Sequence, residues 1–95
     1  DTLGPPRGSP ASLALINEAR ALERAGQGSQ AVARLERAVR IDPRNARVWH
    51  ELARVKCGLD AYDECAALAA RSNDLAPGAA LRDANARLIE RAKRR

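Results

Sequence analysis

Two proline breaks set 34 residues apart, at Pro43 and Pro77, constrain this chain more than any other feature. The stretches Ile41–Asp42–Pro43–Arg44–Asn45 and Leu75–Ala76–Pro77–Gly78 each interrupt sequence that is otherwise rich in Ala, Leu, Arg and Glu, the strongest helix formers. Proline lacks the backbone N–H that a helix needs and biases the preceding residue away from helical geometry, so each break ends a helix. Shifted by 34 positions onto itself, the sequence places Leu15 on Trp49, Ala19 on Ala53, Ala31 on Cys65, Leu35 on Ala69, Ala38 on Ser72 and Ile41 on Leu75. Small residues fall on small ones and apolar on apolar. A chain that repeats at this period stacks like units against one another.

The segments between the breaks read as helices. There is no Phe or Met and only one Trp and one Tyr, so a core must come from aliphatic and small residues. No stretch alternates apolar and polar with period two, which points to an all-α fold. Ser9–Pro10 reads as an N-cap with Pro at the first helical position. Leu15, Ile16, Ala19 and Leu22 follow at helical spacing until Gly26–Gln27–Gly28 stops them. Ser29 is the expected cap of a second helix carrying Ala31, Leu35, Ala38 and Ile41. Asn45 opens a third with Trp49, Leu52, Ala53 and Val55. Gly58–Leu59–Asp60 makes the next turn, with Asp60 as the expected cap of a fourth helix carrying Tyr62, Cys65, Ala69, Ser72 and Leu75. A fifth runs from about Ala79 towards Arg94 on Leu81, Ala84, Leu88, Ile89 and Ala92. Short connections predict antiparallel neighbours. Residues 1–8, with two Gly and two Pro, read as a disordered leader ahead of one domain over 9–95.

A helix–turn–helix unit repeating every 34 residues resembles the tetratricopeptide repeat, whose pattern runs W-x2-L-G-x2-Y…A-x3-F…P. The second unit shows Trp49–x2–Leu52–Ala53, Cys65–x3–Ala69 and Pro77; the first shows Leu15–x3–Ala19–x2–Leu22, Ala31–x3–Leu35 and Pro43. Lys56 stands where the family has Tyr, and Glu18 where it has Leu. The resemblance implies an α-solenoid of two hairpins, over about 12–45 and 46–79, with the off-pattern fifth helix at about 79–94 as its cap. It implies a structural core of Leu15, Ala19, Leu22, Ala31, Leu35, Trp49, Leu52, Ala53, Cys65 and Ala69, with Trp49 buried between hairpins. It also implies a concave groove lined by the first helix of each unit and by the cap. That face would present Leu13, Ile16, Asn17, Arg20 and Arg24, then Arg47, His50, Glu51 and Arg54, then Asn85, Leu88 and Arg91. Such a groove, basic with apolar patches, suits a protein or peptide ligand, an acidic one above all. The pairing of Ser72–Asn73–Asp74–Leu75 with Asn85–Ala86–Arg87–Leu88–Ile89 further resembles small repeat proteins of the bacterial cell envelope, which implies periplasm or envelope over cytoplasm.

The chemistry-bearing residues point away from an enzyme, a cofactor or a small-molecule substrate. One His, no carboxylate pair and no Gly-rich phosphate loop leave no nucleophile beside a base. Cys57 and Cys65 match no zinc spacing, so no metal is expected. They read either as two buried thiols, the preferred reading, or as one disulfide. Of the net charge of +5, most falls after Ala79, on Arg82, Arg87, Arg91, Lys93, Arg94 and Arg95 against Asp83 and Glu90. This basic end leaves two rival readings open: binding of nucleic acid or an anionic surface through the fifth helix, and self-association of a short stackable array. The lack of aromatic residues near the tail argues against nucleic acid. No stretch is long and apolar enough to span a membrane as a helix.

Overall fold

The computed structural model describes residues 9–75 and 78–94. The expected leader, the second break at Pro77 and the terminal Arg95 of the basic tail lie outside the described residues. Among the described residues the chain forms five α-helices and no strand: α1 Pro10–Arg24, α2 Gly28–Ile41, α3 Ala46–Gly58, α4 Tyr62–Asp74 and α5 Ala79–Lys93. α1 pairs with α2 and α3 with α4, and α5 packs on both α3 and α4.

Local chemistry sets most of the boundaries. Ser9 Oγ accepts the Ser12 backbone N–H at 3.0 Å, with Pro10 opening α1. Asn45 Oδ1 caps α3 by accepting the Arg47 N–H at 3.0 Å. Asp42, at the first proline break, ties the two ends together. Its Oδ2 accepts from Ser9 N at 3.2 Å, Ser12 Oγ at 3.0 Å and Asn45 Nδ2 at 3.0 Å. Burial alone would raise the Asp42 carboxyl, but hydrogen bonds from Asn45, Ser12 and the Ser9 backbone hold it below its ordinary value.

Two caps differ from the sequence expectation. Ser29 lies within the first turn of α2, which begins at Gly28 after an N-cap of Gln27. Asp60 does not cap α4. It adopts φ of 63°, in the left-handed region that Asp tolerates, and so reverses the chain after α3. The same turn pushes the Leu59 side chain over Gly28, where an added Cβ would lie 2.7 Å from Leu59 Cδ2.

The core has two parts, and α3 belongs to both. Leu15, Ile16 and Ala19 of α1 meet Ala31, Leu35 and Ala38 of α2 and one face of α3, formed by Val48, Leu52 and Val55. The other face of α3, Ala53 and Cys57, meets Cys65 and Ala69 of α4 and Leu88 and Ala92 of α5. Ala31, Ala38, Ala53 and Ala69 are each 0% exposed, so the backbones approach closely wherever the repeat pattern places a small residue. Leu22 is half-buried against the first cluster.

Trp49 corrects the expectation drawn from the resemblance. It is half-buried, and Val48 occupies the fully buried position beside it. The indole N–H donates to the Pro43 carbonyl at 2.7 Å, and Arg71 of α4 lies 5.5 Å above the ring. A buried indole needs a partner for its N–H. The alanine-lined interior offers none, whereas the proline turn exposes a carbonyl.

Cys57 and Cys65 form a disulfide that links α3 to α4 across a sequence separation of 8, with Cα atoms 5.2 Å apart. This corrects the buried-thiol reading, although both residues are indeed fully buried. The sulfurs lie against the Leu88 carbonyl, so the staple sits beneath α5.

Closing a loop of this length constrains the unfolded chain by about 2.5 kcal/mol. Thermal unfolding followed by circular dichroism should therefore show the midpoint falling by about 10–20 °C on full reduction. An unchanged midpoint, with both thiols shown to be free, would contradict a stabilising staple. Packing gives a second expectation. Leu35→Ala or Leu52→Ala should cost about 2–5 kcal/mol, and Trp49→Ala should cost less than either because its ring is only half-buried. Urea titrations that rank Trp49→Ala as the most damaging would restore the indole to the interior.

Candidate functional site

The first helices of the array, α1 and α3, lie side by side with α5 and form one face. Three side-chain ties cross it. Arg20 Nη2 donates to Glu51 Oε2, joining α1 to α3. Arg54 donates to Glu23 through Nη1 at 3.1 Å and Nη2 at 2.7 Å, joining the same helices in the opposite sense of charge. His50 Nδ1 lies 2.7 Å from Asn85 Oδ1, joining α3 to α5. Asn85 Nδ2 donates to Asn73 Oδ1 at 2.9 Å, which turns its carbonyl oxygen towards His50.

Glu51 is the hub. Its side chain is only 3% exposed and receives Arg20, Arg54 at 3.0 Å and, more loosely, Arg47 at 3.7 Å. Burial works to raise its carboxyl. The Arg20 and Arg54 hydrogen bonds and charges overcome that and hold it below the ordinary value. Arg54 is desolvated as well, yet its bonds to Glu23 and Glu51 push its pKa up, so it stays charged.

The residues expected to line an open groove therefore divide into four groups. Ile16 and Leu88 belong to the two cores. Glu51 and Asn85 are buried and spend their polar atoms on neighbouring helices. Arg20 and Arg54, expected as free surface charges, are ion-paired across α1 and α3. What remains at the surface is Asn17, Arg24, Arg47 and His50, with the exposed Leu13 beside them. A hollow of about 340 Å³ opens between Arg20, Glu23, Arg24 and Arg54. Among the described residues Arg24 has no ion pair, and the Arg20 Nε is a buried donor without a partner.

Glu23 went unnoticed in the sequence. Its signal is the crossed pattern Arg20…Glu51 and Glu23…Arg54, each pair separated by 31 residues and of opposite sign, close to the repeat period. Arg91 was placed on the groove, but lines a different hollow, together with Tyr62 and Arg87. Among the described residues no group of three or more His, Cys, Asp or Glu could hold a metal, and none of the helices is long and apolar enough to cross a membrane.

A fold of stacked helix hairpins with a capping helix and a polar face on its first helices defines a protein-interaction module. The sequence profile of the tetratricopeptide repeat matches residues 13–55. The solved structure of the globular C-terminal domain of P. aeruginosa LpoP is similar over 90% of this chain and 82% of its own, with 31% identity and a TM-score of 0.86. The chain belongs to the tetratricopeptide-repeat family and shares the fold of that bacterial domain. No curated protein matches the sequence.

Two expectations follow from the Glu51 network. Arg54→Glu would face Glu23 and Glu51 with a like charge. It should cost about 2 kcal/mol or more, less than the 3–5 of a fully buried pair because the Arg54 side chain is 35% exposed and screened. Urea unfolding should show it. A change within about 0.5 kcal/mol, as at an ordinary surface site, would contradict the network. The second concerns pH. A lowered carboxyl contributes stability that is fully present above its ordinary value of 4.5 and is lost as pH falls below it. Glu51→Gln should therefore be less stable than the parent at neutral pH, with the gap narrowing progressively as pH falls below 4.5. A stability gap that persists unchanged into acid would show that Glu51 acts by packing and not by charge.

Proposed function

We propose that this chain is a non-catalytic module that binds a protein or peptide segment on the face made by α1, α3 and α5. The observation that carries the reading is the hollow between α1 and α3, where the exposed Arg24 has no ion pair among the described residues, within a frame otherwise closed by ion pairs. The ties across the three helices hold the face in one shape, which lowers the ordering cost of binding. The ligand chemistry that fits is a segment with acceptor groups or a carboxylate for Arg24 and Arg47, both exposed. His50, bonded to an amide and not to a carboxylate or a nucleophile, fits a recognition role better than a catalytic one.

The compartment we propose is an oxidising one, the bacterial envelope or periplasm. A buried disulfide persists where thiols are not kept reduced, and the likeness to a bacterial domain agrees with that setting.

Photo-crosslinking residues placed singly at Asn17 and Arg24, with Arg37 on α2 as the outer control, test the reading. Crosslinks to one partner from the first two positions and none from the third are expected. Crosslinks from Arg37 alone would move the interface to the outer helices.

A further inference from the structure

We propose that the hollow between the N-terminus of α4 and α5 is a second docking site, and that its occupant is an acidic, extended segment of a partner protein. The hollow measures about 630 Å³, larger than the one on the concave face, and is lined by Tyr62, Ala86, Arg87, Glu90, Arg91 and Arg94. It lies apart from Arg20, Glu23, Arg24 and Arg54, so the two sites do not compete for residues.

Charge is the first argument. The hollow gathers three guanidinium groups around one carboxylate. On the concave face the central arginines are taken by Glu51 and Glu23. Here Arg87 and Arg91 have no ion pair among the described residues. Glu90 reaches only Arg94, at 3.9 Å, with both side chains largely in solvent at 59% and 81% exposure. Such an exposed pair is weak and yields readily to a better partner. Two arginines without an ion pair among the described residues, and a third held only weakly, thus line this one hollow.

Spacing is the second. Arg87, Arg91 and Arg94 follow one another by four and three residues on α5. At a rise of about 1.5 Å per residue that sets them roughly 6 Å and roughly 4.5 Å apart along the axis. An extended chain advances about 6.6 Å for every second residue and points those side chains the same way. Acidic side chains at alternate positions therefore meet successive arginines, each able to grip a carboxylate with two N–H groups.

The third argument is the wall. Tyr62 presents a ring between this hollow and a second one of about 320 Å³ that runs past Ala66 and Ala92, beside Asp63 and Lys93. Its hydroxyl donates to Asp60 Oδ1 at 2.9 Å, which fixes the ring. The wall and the arginine helix are held together from below, since the disulfide joins α3 to α4 against the Leu88 carbonyl of α5. A fixed aromatic wall beside arginines suits a chain with apolar and acidic side chains in alternation. It suits the flat array of a membrane surface less well. A nucleic-acid strand would find one ring where it needs several.

The test uses the whole 95-residue chain, ¹⁵N-labelled, with a synthetic decapeptide alternating Glu and Leu as the probe. Separate samples receive vesicles of mixed anionic and neutral phospholipid, and a single-stranded oligodeoxynucleotide. Saturable amide shifts at Tyr62, Arg87 and Arg91 are expected with the peptide. Arg87→Glu with Arg91→Glu should weaken binding about tenfold or more, while Arg37→Glu on the outer face of α2 leaves it unchanged. Both arginines are exposed, so the double variant should keep its helical circular dichroism; Arg87→Gln with Arg91→Gln serves if it does not. Three results would overturn the proposal. They are shifts confined to Asn17, Arg24 and His50, no saturable shift at all, and binding of the vesicles or the oligonucleotide at these residues without binding of the peptide.

Discussion

A single carboxylate, that of Glu51, sets the geometry of the concave face. Taking an ion out of water costs several kcal/mol unless charged partners meet it in good geometry. Glu51 is withdrawn almost completely from solvent, and only the arrangement in which Arg20 of α1 and Arg54 of α3 converge on it offsets that cost. The Glu23–Arg54 pair repeats the constraint one turn further along both helices. Hydrophobic contacts between the hairpins would tolerate some sliding, since Ala, Leu and Val side chains are not directional. The ion pairs do not, because a slip of one turn would leave a carboxylate buried without a cation.

The small residues and the staple complete the frame. α3 is buried on two faces, towards α1 and α2 through Val48, Leu52 and Val55, and towards α4 and α5 through Ala53 and Cys57. With no Phe or Met to fill space, close approach of backbones at Ala31, Ala38, Ala53 and Ala69 replaces bulk. The disulfide then fixes the α3–α4 hairpin where the core is made of the smallest residues. The consequence for function is a division of the surface. Arg20, Glu23, Glu51 and Arg54 at the α1–α3 seam are spent on one another, whereas Arg87 and Arg91 on α5 have no ion pair among the described residues.

The architecture was legible in the sequence because it depends on features that are local or periodic. The 34-residue shift, the Ser9–Pro10 start, the Asn45 cap and the Asp42–Pro43 break report on backbone hydrogen bonds within a few residues of each. The side-chain environment was less so. Glu51 and Asn85 look like polar residues on an open face, and only the stacked array shows that partners from other helices enclose them. Ile16 and Leu88 lie on the border of that face, and a rotation of a fraction of a turn decides whether they line a groove or a core. Trp49 matches the family pattern by position, yet its ring follows its N–H to the Pro43 carbonyl. The disulfide turns on whether two Cβ atoms face each other across a turn, which a spacing of eight leaves undetermined. Asp60 shows the same limit, since a cap and a left-handed turn both draw on the short acidic side chain.

A double-mutant cycle between Arg20→Met and Glu51→Gln probes the concave face most directly. Unfolding free energies of the parent, both single variants and the double variant isolate the interaction from the packing each side chain also provides. A carboxylate that organises the face requires the two changes to be strongly non-additive, with a coupling of about 1–3 kcal/mol that shrinks at acid pH. Strictly additive changes, with no coupling at neutral pH, would contradict it and leave the register of the hairpins to apolar packing alone.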